Sequence, residues 1–212
     1  RYLAHKCIQK RVENTVIGFD ILQARSLFRF GGWVTISGII SPFLMQADRF
    51  FVGSMLSASS VSEYVIPYEI TTQSLIVVSA ITAIAFPAIT SLLNRDVNLA
   101  LQSFRVWKNR LIIGMFFLMA SLSIAMPHIL NLWVGEFVSI ESVWTGGMLC
   151  LGVFINSIGA MYYAYLHARS NVKETALLHI IEFPLLLGFL IILIPQFGIL
   201  GAAIAWTLRV SV

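Results

Sequence analysis

Charge is what this sequence has least of. Only 11% of its 212 residues are Asp, Glu, Lys or Arg, 58% are apolar, and the mean hydropathy is +0.85. Soluble domains carry about 25% charged and about 45–50% apolar residues, so a water-soluble monomer is excluded. Cysteine is nearly absent: Cys7 lies in a basic stretch and Cys150 inside an apolar run, which provides neither a disulfide framework nor metal-ligand spacing. His5, His128, His167 and His179 are scattered, so no metal cluster is expected. A Gly-rich phosphate loop, an HExxH helix and a GxSxG elbow are all missing from the sequence, and with them the signatures of common soluble enzymes. No catalytic residue, metal or cofactor is assigned, and the chain is not expected to be an enzyme.

What is present is apolar length. Runs free of Asp, Glu, Lys and Arg cover 30–47, 70–94, 111–135, 142–168 and 183–208. About 20 apolar residues cross the hydrocarbon core of a bilayer, so the solvent of this chain is lipid. Glycine, proline and charge clusters divide the apolar mass into six candidate helices, near 30–53, 61–91, 110–133, 143–167, 174–194 and 199 to the end. The expected fold is all-α and polytopic: a cytoplasmic basic and interfacial segment over 1–29, then a transmembrane bundle over 30–212. Within the first segment, Ile21, Ala24, Leu27 and Phe28 fall on one side of a helix and Arg25 and Arg29 on another, a pattern suited to lying in the interface. The chain begins at Arg1 and stops at Val212 inside an apolar stretch, without the layout of a secretory leader. A fragment of a longer membrane protein is expected.

Orientation follows from the basic residues, which stay on the cytoplasmic side during insertion. Arg1, Lys6, Lys10, Arg11, Arg25 and Arg29 precede the first span. Arg95, Arg105, Lys108 and Arg110 fall between the second and third, and Arg169 and Lys173 between the fourth and fifth. The alternate loops carry none, so the N-terminus is expected in the cytoplasm. The net charge of +4 and pI near 9.3 are thereby read as topology signals facing anionic lipid, not as a nucleic-acid surface. Trp33 and Trp107 at inner helix ends, with Trp133 and Trp144 at outer ones, match an aromatic belt.

Ionisable side chains inside spans are costly, about 2.5–3.5 kcal/mol each on insertion scales, and each needs a reason. Asp48, Arg49, Glu63, Glu69, His179 and Glu182 are the cases. Counting helical rise, Asp48 and Arg49 lie toward the outer side of the first span, and Glu69 enters the second from that side, so Arg49 and Glu69 meet if their helices are neighbours. Asp48 with Arg49 reads either as an interfacial pair with the arginine snorkelling, or as a site in which Arg49 holds an anionic group through its forked donors. Glu69, Thr72 and Gln73 share a face beside Tyr68, a polar stripe that implies a wet cavity or a partner helix. For Glu69, and for His179 with Glu182, an interhelical hydrogen bond competes with a proton or sodium relay. Gly152, Asn156, Gly159 and Tyr163 repeat at helical spacing, which suits close packing through small residues as well as a cavity lining. Pro42, Pro67, Pro127 and Pro184 interrupt spans, as in the broken helices of transporters.

The run GGWVTISGIISPFLMQADRFFVGSMLSASSVSEYVIPYEITTQSLIVVSAITAIAFPAITSLL resembles the start of the second half of Wzx-type polysaccharide flippases. These belong to the superfamily that includes the multidrug and toxic compound extruders and the peptidoglycan lipid flippases. The features carrying the resemblance are Asp48 and Arg49 followed by Gly53, then Tyr64, then Phe86 with Pro87, and, near the C-terminus, GILGAAIAW. It implies a twelve-helix transporter of two six-helix bundles, of which this chain supplies the C-terminal one. The implied cargo is an undecaprenyl-diphosphate-linked oligosaccharide moved from the inner to the outer leaflet of a bacterial inner membrane. The implied partners are that cargo, membrane lipids, the N-terminal half, and a proton or sodium ion. Arg49, Asp48, Glu69, Gln73, Asn156 and Tyr163 are the candidate cargo contacts, and Glu69, Glu182 and His179 the candidate ion-coupling groups. A drug/cation antiporter of the same superfamily would instead bind through Glu69 and Asp48. A membrane enzyme acting on polyprenyl-linked sugars fits less well, because the outer loops are short.

Overall fold

The computed structural model of the chain describes residues 21–212 other than 94, 136–138 and 170–171. The expected segment 1–29 therefore lies outside the described residues up to 20. The side chains of 21–30, on which its amphipathic face depends, and those of Trp33 and Ser37 lie outside them as well. Every regular element among the described residues is helical: α1 (Ile21–Met55), α2 (Ala58–Thr72), α3 (Leu75–Leu93), α4 (Val97–Val134), α5 (Ile140–Ala168) and α6 (Val172–Val210). Four stretches, Ala58–Leu93, Val97–Val134, Ile140–Ala168 and Ala176–Val210, are long and apolar enough to cross a membrane. Large apolar side chains such as Phe43, Phe50, Phe117, Ile124 and Leu132 face outward, which is tenable only against lipid or a partner.

Three boundaries differ from the sequence reading. The division expected near Phe30 is absent: α1 runs unbroken from Ile21 to Met55, about 52 Å at 1.5 Å per residue, because two adjacent glycines lower helix propensity without terminating the backbone hydrogen-bond ladder. The third span likewise starts earlier than position 110. Asp96, in an extended conformation, accepts the Asn98 N–H at 2.7 Å and opens α4 at Val97, so Arg105, Lys108 and Arg110 lie on the helix rather than in a loop. The second span is broken rather than continuous, with α2 ending at Thr72 and α3 starting at Leu75. Hydroxyls rather than a proline sit at that break. Thr71 donates to the carbonyls of Pro67 and Tyr68, Thr72 to Tyr68 and Ser74 to Thr71, and such back-bonding competes with the ladder and bends helices.

α6 contains the sharpest feature. Gly198 has φ 56° and ψ −136°, outside the helical region and disfavoured for residues with a Cβ. The chain reverses there. Leu193 and Gly201 approach so closely that a Cβ on Gly201 would overlap the Leu193 carbonyl, and Arg209 reaches back to Glu182. The returning arm, 199–210, is about 18 Å long and lies between α1 and α5, the two helices against which α6 packs most extensively. Glu141, in the first turn of α5, accepts the N–H groups of Ile199 (2.8 Å) and Leu200 (3.5 Å). A carboxylate from one helix thus caps the N-terminus of another, where the backbone dipole favours negative charge.

At the same end, Pro67 lacks the N–H that would bond the Glu63 carbonyl. The Ser142 hydroxyl of α5 supplies the missing donor at 3.1 Å, while Ser139 donates to the Glu63 carboxylate at 2.7 Å. The opposite end carries a basic and aromatic set: Lys108 lies 3.4 Å from the Tyr162 hydroxyl, and Arg169 sits near the Tyr165 ring. Trp133 and Trp144, expected in an outer belt, are both exposed.

Candidate functional site

The polar groups of α1, α2 and α6 converge. Asp48 has no exposed surface. One of its oxygens accepts the Tyr64 hydroxyl at 2.6 Å and the other accepts the Arg49 backbone N–H at 2.8 Å. It therefore fixes α1 against α2 through a charge-assisted hydrogen bond. The Arg49 side chain turns the other way. Its Nη2 meets Glu69 Oε1 at 2.5 Å, with side-chain exposures of 25% and 47%, so this pair opens onto the bundle surface while Asp48 does not. The encounter anticipated from helical rise occurs. The guanidinium also lies 4.6 Å from the centroid of Tyr68, a cation–π distance.

The set continues into α6. Tyr68 meets Trp206 edge-on at 6.1 Å between ring centroids, and the Arg209 guanidinium lies 5.7 Å from the Trp206 ring. Trp206 seats against Gly152 of α5, where a Cβ would overlap its ring and the Thr207 hydroxyl. Arg209 pairs with Glu182 at 3.9 Å, with side-chain exposures of 11% and 21%. Glu69 lies eleven residues into the second span and Arg209 eleven beyond the reversal, about 16 Å of helix in each case. Both ion pairs therefore sit near half the roughly 30 Å hydrocarbon thickness.

The remaining expected residues separate into other places. Gln73 is exposed, in the break between α2 and α3. Glu63, counted among the in-span charges, lies at the loop end with Ser139. Asn156 is half-buried on α5, one turn past Gly152. Gly152 supports the close-packing reading of its stripe, whereas Gly159 has nothing within 4 Å of its would-be Cβ. Tyr163 is not brought to Arg49: it stacks on His167 at 4.2 Å and meets His179 edge-on at 6.3 Å. His179 stands one turn from Glu182 on the same arm, with a buried Nδ1 that has no hydrogen-bond partner. Among the described residues, no three His, Cys, Asp or Glu side chains are grouped to hold a metal.

Sequence reasoning missed Arg209 and Trp206 as members of this set. Arg209 is visible as a cation inside an apolar run, but only the reversal at Gly198 brings it to a glutamate twenty-seven residues earlier. Tyr64 and Tyr68 carry a signal in retrospect. They stand at i and i+4 on α2 and present two hydroxyl-bearing rings to the buried side of α1.

Comparison with known proteins adds the following. A family described as "Polysaccharide biosynthesis protein" matches residues 8–140. A protein of Shigella flexneri named "Putative O-antigen transporter" is 33% identical over 192 residues, covering 88% of this chain and 44% of the relative. The chain thus spans less than half the length of that relative. No solved structure matches.

Proposed function

Because the chain belongs to the polysaccharide biosynthesis protein family, in line with its resemblance to Wzx-type flippases, we propose that it is the C-terminal half of a transporter. The cargo in this reading is a lipid-linked oligosaccharide, moved from the inner to the outer leaflet of the bacterial inner membrane. Six spans, beginning in the cytoplasm, form one bundle, and the N-terminal half supplies the facing bundle. A diphosphate and its sugars cross hydrocarbon only through a hydrated groove, since burying unpaired charge is prohibitive. The polyprenyl tail stays in lipid. Two bundles rocking about the cargo give alternating access.

The observation that carries this reading is the half-exposed Arg49–Glu69 pair near mid-depth, held against its helix neighbours by the buried Asp48–Tyr64 bond. Arg49 offers a forked donor to a phosphate, and Glu69 holds that donor in place while cargo is absent. Asp48, Glu69 and Glu182 outnumber Arg49 and Arg209 by one. A proton or sodium ion balances the surplus carboxylate in a dry interior, and gaining or losing it couples cargo movement to an ion gradient.

The test uses the full-length transporter in its host. Arg49→Ala is expected to lower export of surface glycan by at least about tenfold, in keeping with the loss of a charged hydrogen bond, with lipid-linked oligosaccharide accumulating in the cytoplasmic leaflet. Undiminished export would sink the reading. A drug/cation antiporter predicts the opposite pattern: drug resistance conferred by the protein, insensitive to Arg49→Ala and abolished by Glu69→Gln.

A further inference from the structure

Arg209 is an unusual side chain in its setting. It is nearly buried at mid-depth, its Nε is buried with no hydrogen-bond partner, and its approach to Glu182, at 3.9 Å, is longer than a hydrogen bond. A guanidinium carries five donors, and a buried donor left without an acceptor is costly. Arg49 shares part of this condition, because its Nε is also buried without a partner although its Nη2 is engaged. The two arginines are joined through stacked contacts, Arg49 on Tyr68, Tyr68 on Trp206 and Trp206 on Arg209, and Asp48 lies within electrostatic reach of both. Each faces a single glutamate that is more exposed than the arginine it meets.

We propose that Arg209 is a second cargo-binding cation that acts with Arg49, and that Glu69 and Glu182 are resident stand-ins for the two phosphates of a diphosphate. The proposal rests on the reading of Arg49 as a phosphate contact and deepens it. One guanidinium serves a monophosphate as well as a diphosphate, whereas two, held on separate helices by a rigid aromatic spacer, favour the diphosphate. Arg209 is thereby the residue that sets specificity for the linkage. Glu182 competes with cargo for it, so removing the Glu182 charge strengthens binding. A merely structural ion pair has the opposite signature, since loss of either partner then loosens the α6 reversal.

The full-length transporter in lipid nanodiscs is titrated with undecaprenyl diphosphate and, separately, undecaprenyl monophosphate. The wild type is expected to prefer the diphosphate by roughly tenfold, the scale of one charge-assisted contact. Arg209→Ala is expected to erase that preference while monophosphate binding persists, Arg209→Lys to restore part of it, and Glu182→Gln to tighten diphosphate binding severalfold. Retention of the wild-type preference by Arg209→Ala, with binding lost in Arg49→Ala, overturns the role of Arg209 and leaves that of Arg49 standing. If Arg209→Ala loses both ligands, Glu182→Gln decides: tighter binding supports the proposal, and weaker binding reduces Arg209 to a strut of the reversal. Failure of the wild type to bind either lipid overturns both readings together.

Discussion

Glu63 and Glu141 sit at the loop end of the bundle, Glu69 and Glu182 halfway down it, and the two groups serve different partners. The end carboxylates answer backbone and hydroxyl needs: Glu141 caps the returning arm of α6, and Glu63 takes the Ser139 hydroxyl. The mid-depth carboxylates answer arginines. Hydropathy alone ranks Glu63 with Glu69, since both fall in one apolar span. What separates them is the chemistry of the partner. A carboxylate bound to helix N–H groups has a permanent occupant, whereas one bound to a guanidinium can exchange it for another anion.

The sharpest way to break this distinction is to remove the anchor beneath the mid-depth pairs. Asp48→Ala strips the Tyr64 hydroxyl of its acceptor and leaves two neighbouring guanidiniums with less compensation. A loss of about 3–5 kcal/mol is expected, the usual cost of breaking a buried charged pair, read as a large drop in melting temperature or as failure to extract monodisperse full-length transporter. Asp48→Asn keeps one acceptor and recovers part of that loss. Stability unchanged in both variants would show that the buried bond does not hold α1 to α2. Next in size is Glu141→Gln, expected to cost about 1 kcal/mol, the scale of a helix cap, with glycan export retained once the protein is folded. Export lost at unchanged stability would move Glu141 from the structural group into the transport group. The smallest effect is expected for Glu63→Gln, within about 0.5 kcal/mol, as for an exposed position, because an amide oxygen still accepts the Ser139 hydroxyl. A measurable change in export by this variant would erase the boundary between end and mid-depth.

Much of this was legible in the residues. Apolar run length and the absence of charge determine the helices and their lipid surroundings. The encounter of Arg49 with Glu69 follows from counting rise along two neighbouring helices. Three things were not legible, each for a physical reason. The break between α2 and α3 is made by hydroxyls bonding their own backbone, and Thr71, Thr72 and Ser74 look on a hydropathy scale like tolerated polar positions. The continuity of α1 past Gly31 and Gly32 depends on the glycines being merely poor helix formers. The partnership of Arg209 with Glu182 needs the chain to turn back at Gly198, and no local pattern at either residue reports a contact so distant in sequence. Asp48 was weighed as a cargo contact, and its complete burial against Tyr64 makes it the residue on which the contact is mounted.

The break at Gln73 and Ser74 has a mechanical consequence. A rod severed at its middle passes neither twist nor thrust from one end to the other. The outer piece, α2, is lashed to α5 by Ser142 and Ser139, whereas the inner piece, α3, leans chiefly on α4. When the bundle tips, each piece follows its own neighbour, and the joint between them, with Glu69 one turn away, is where the relative displacement collects.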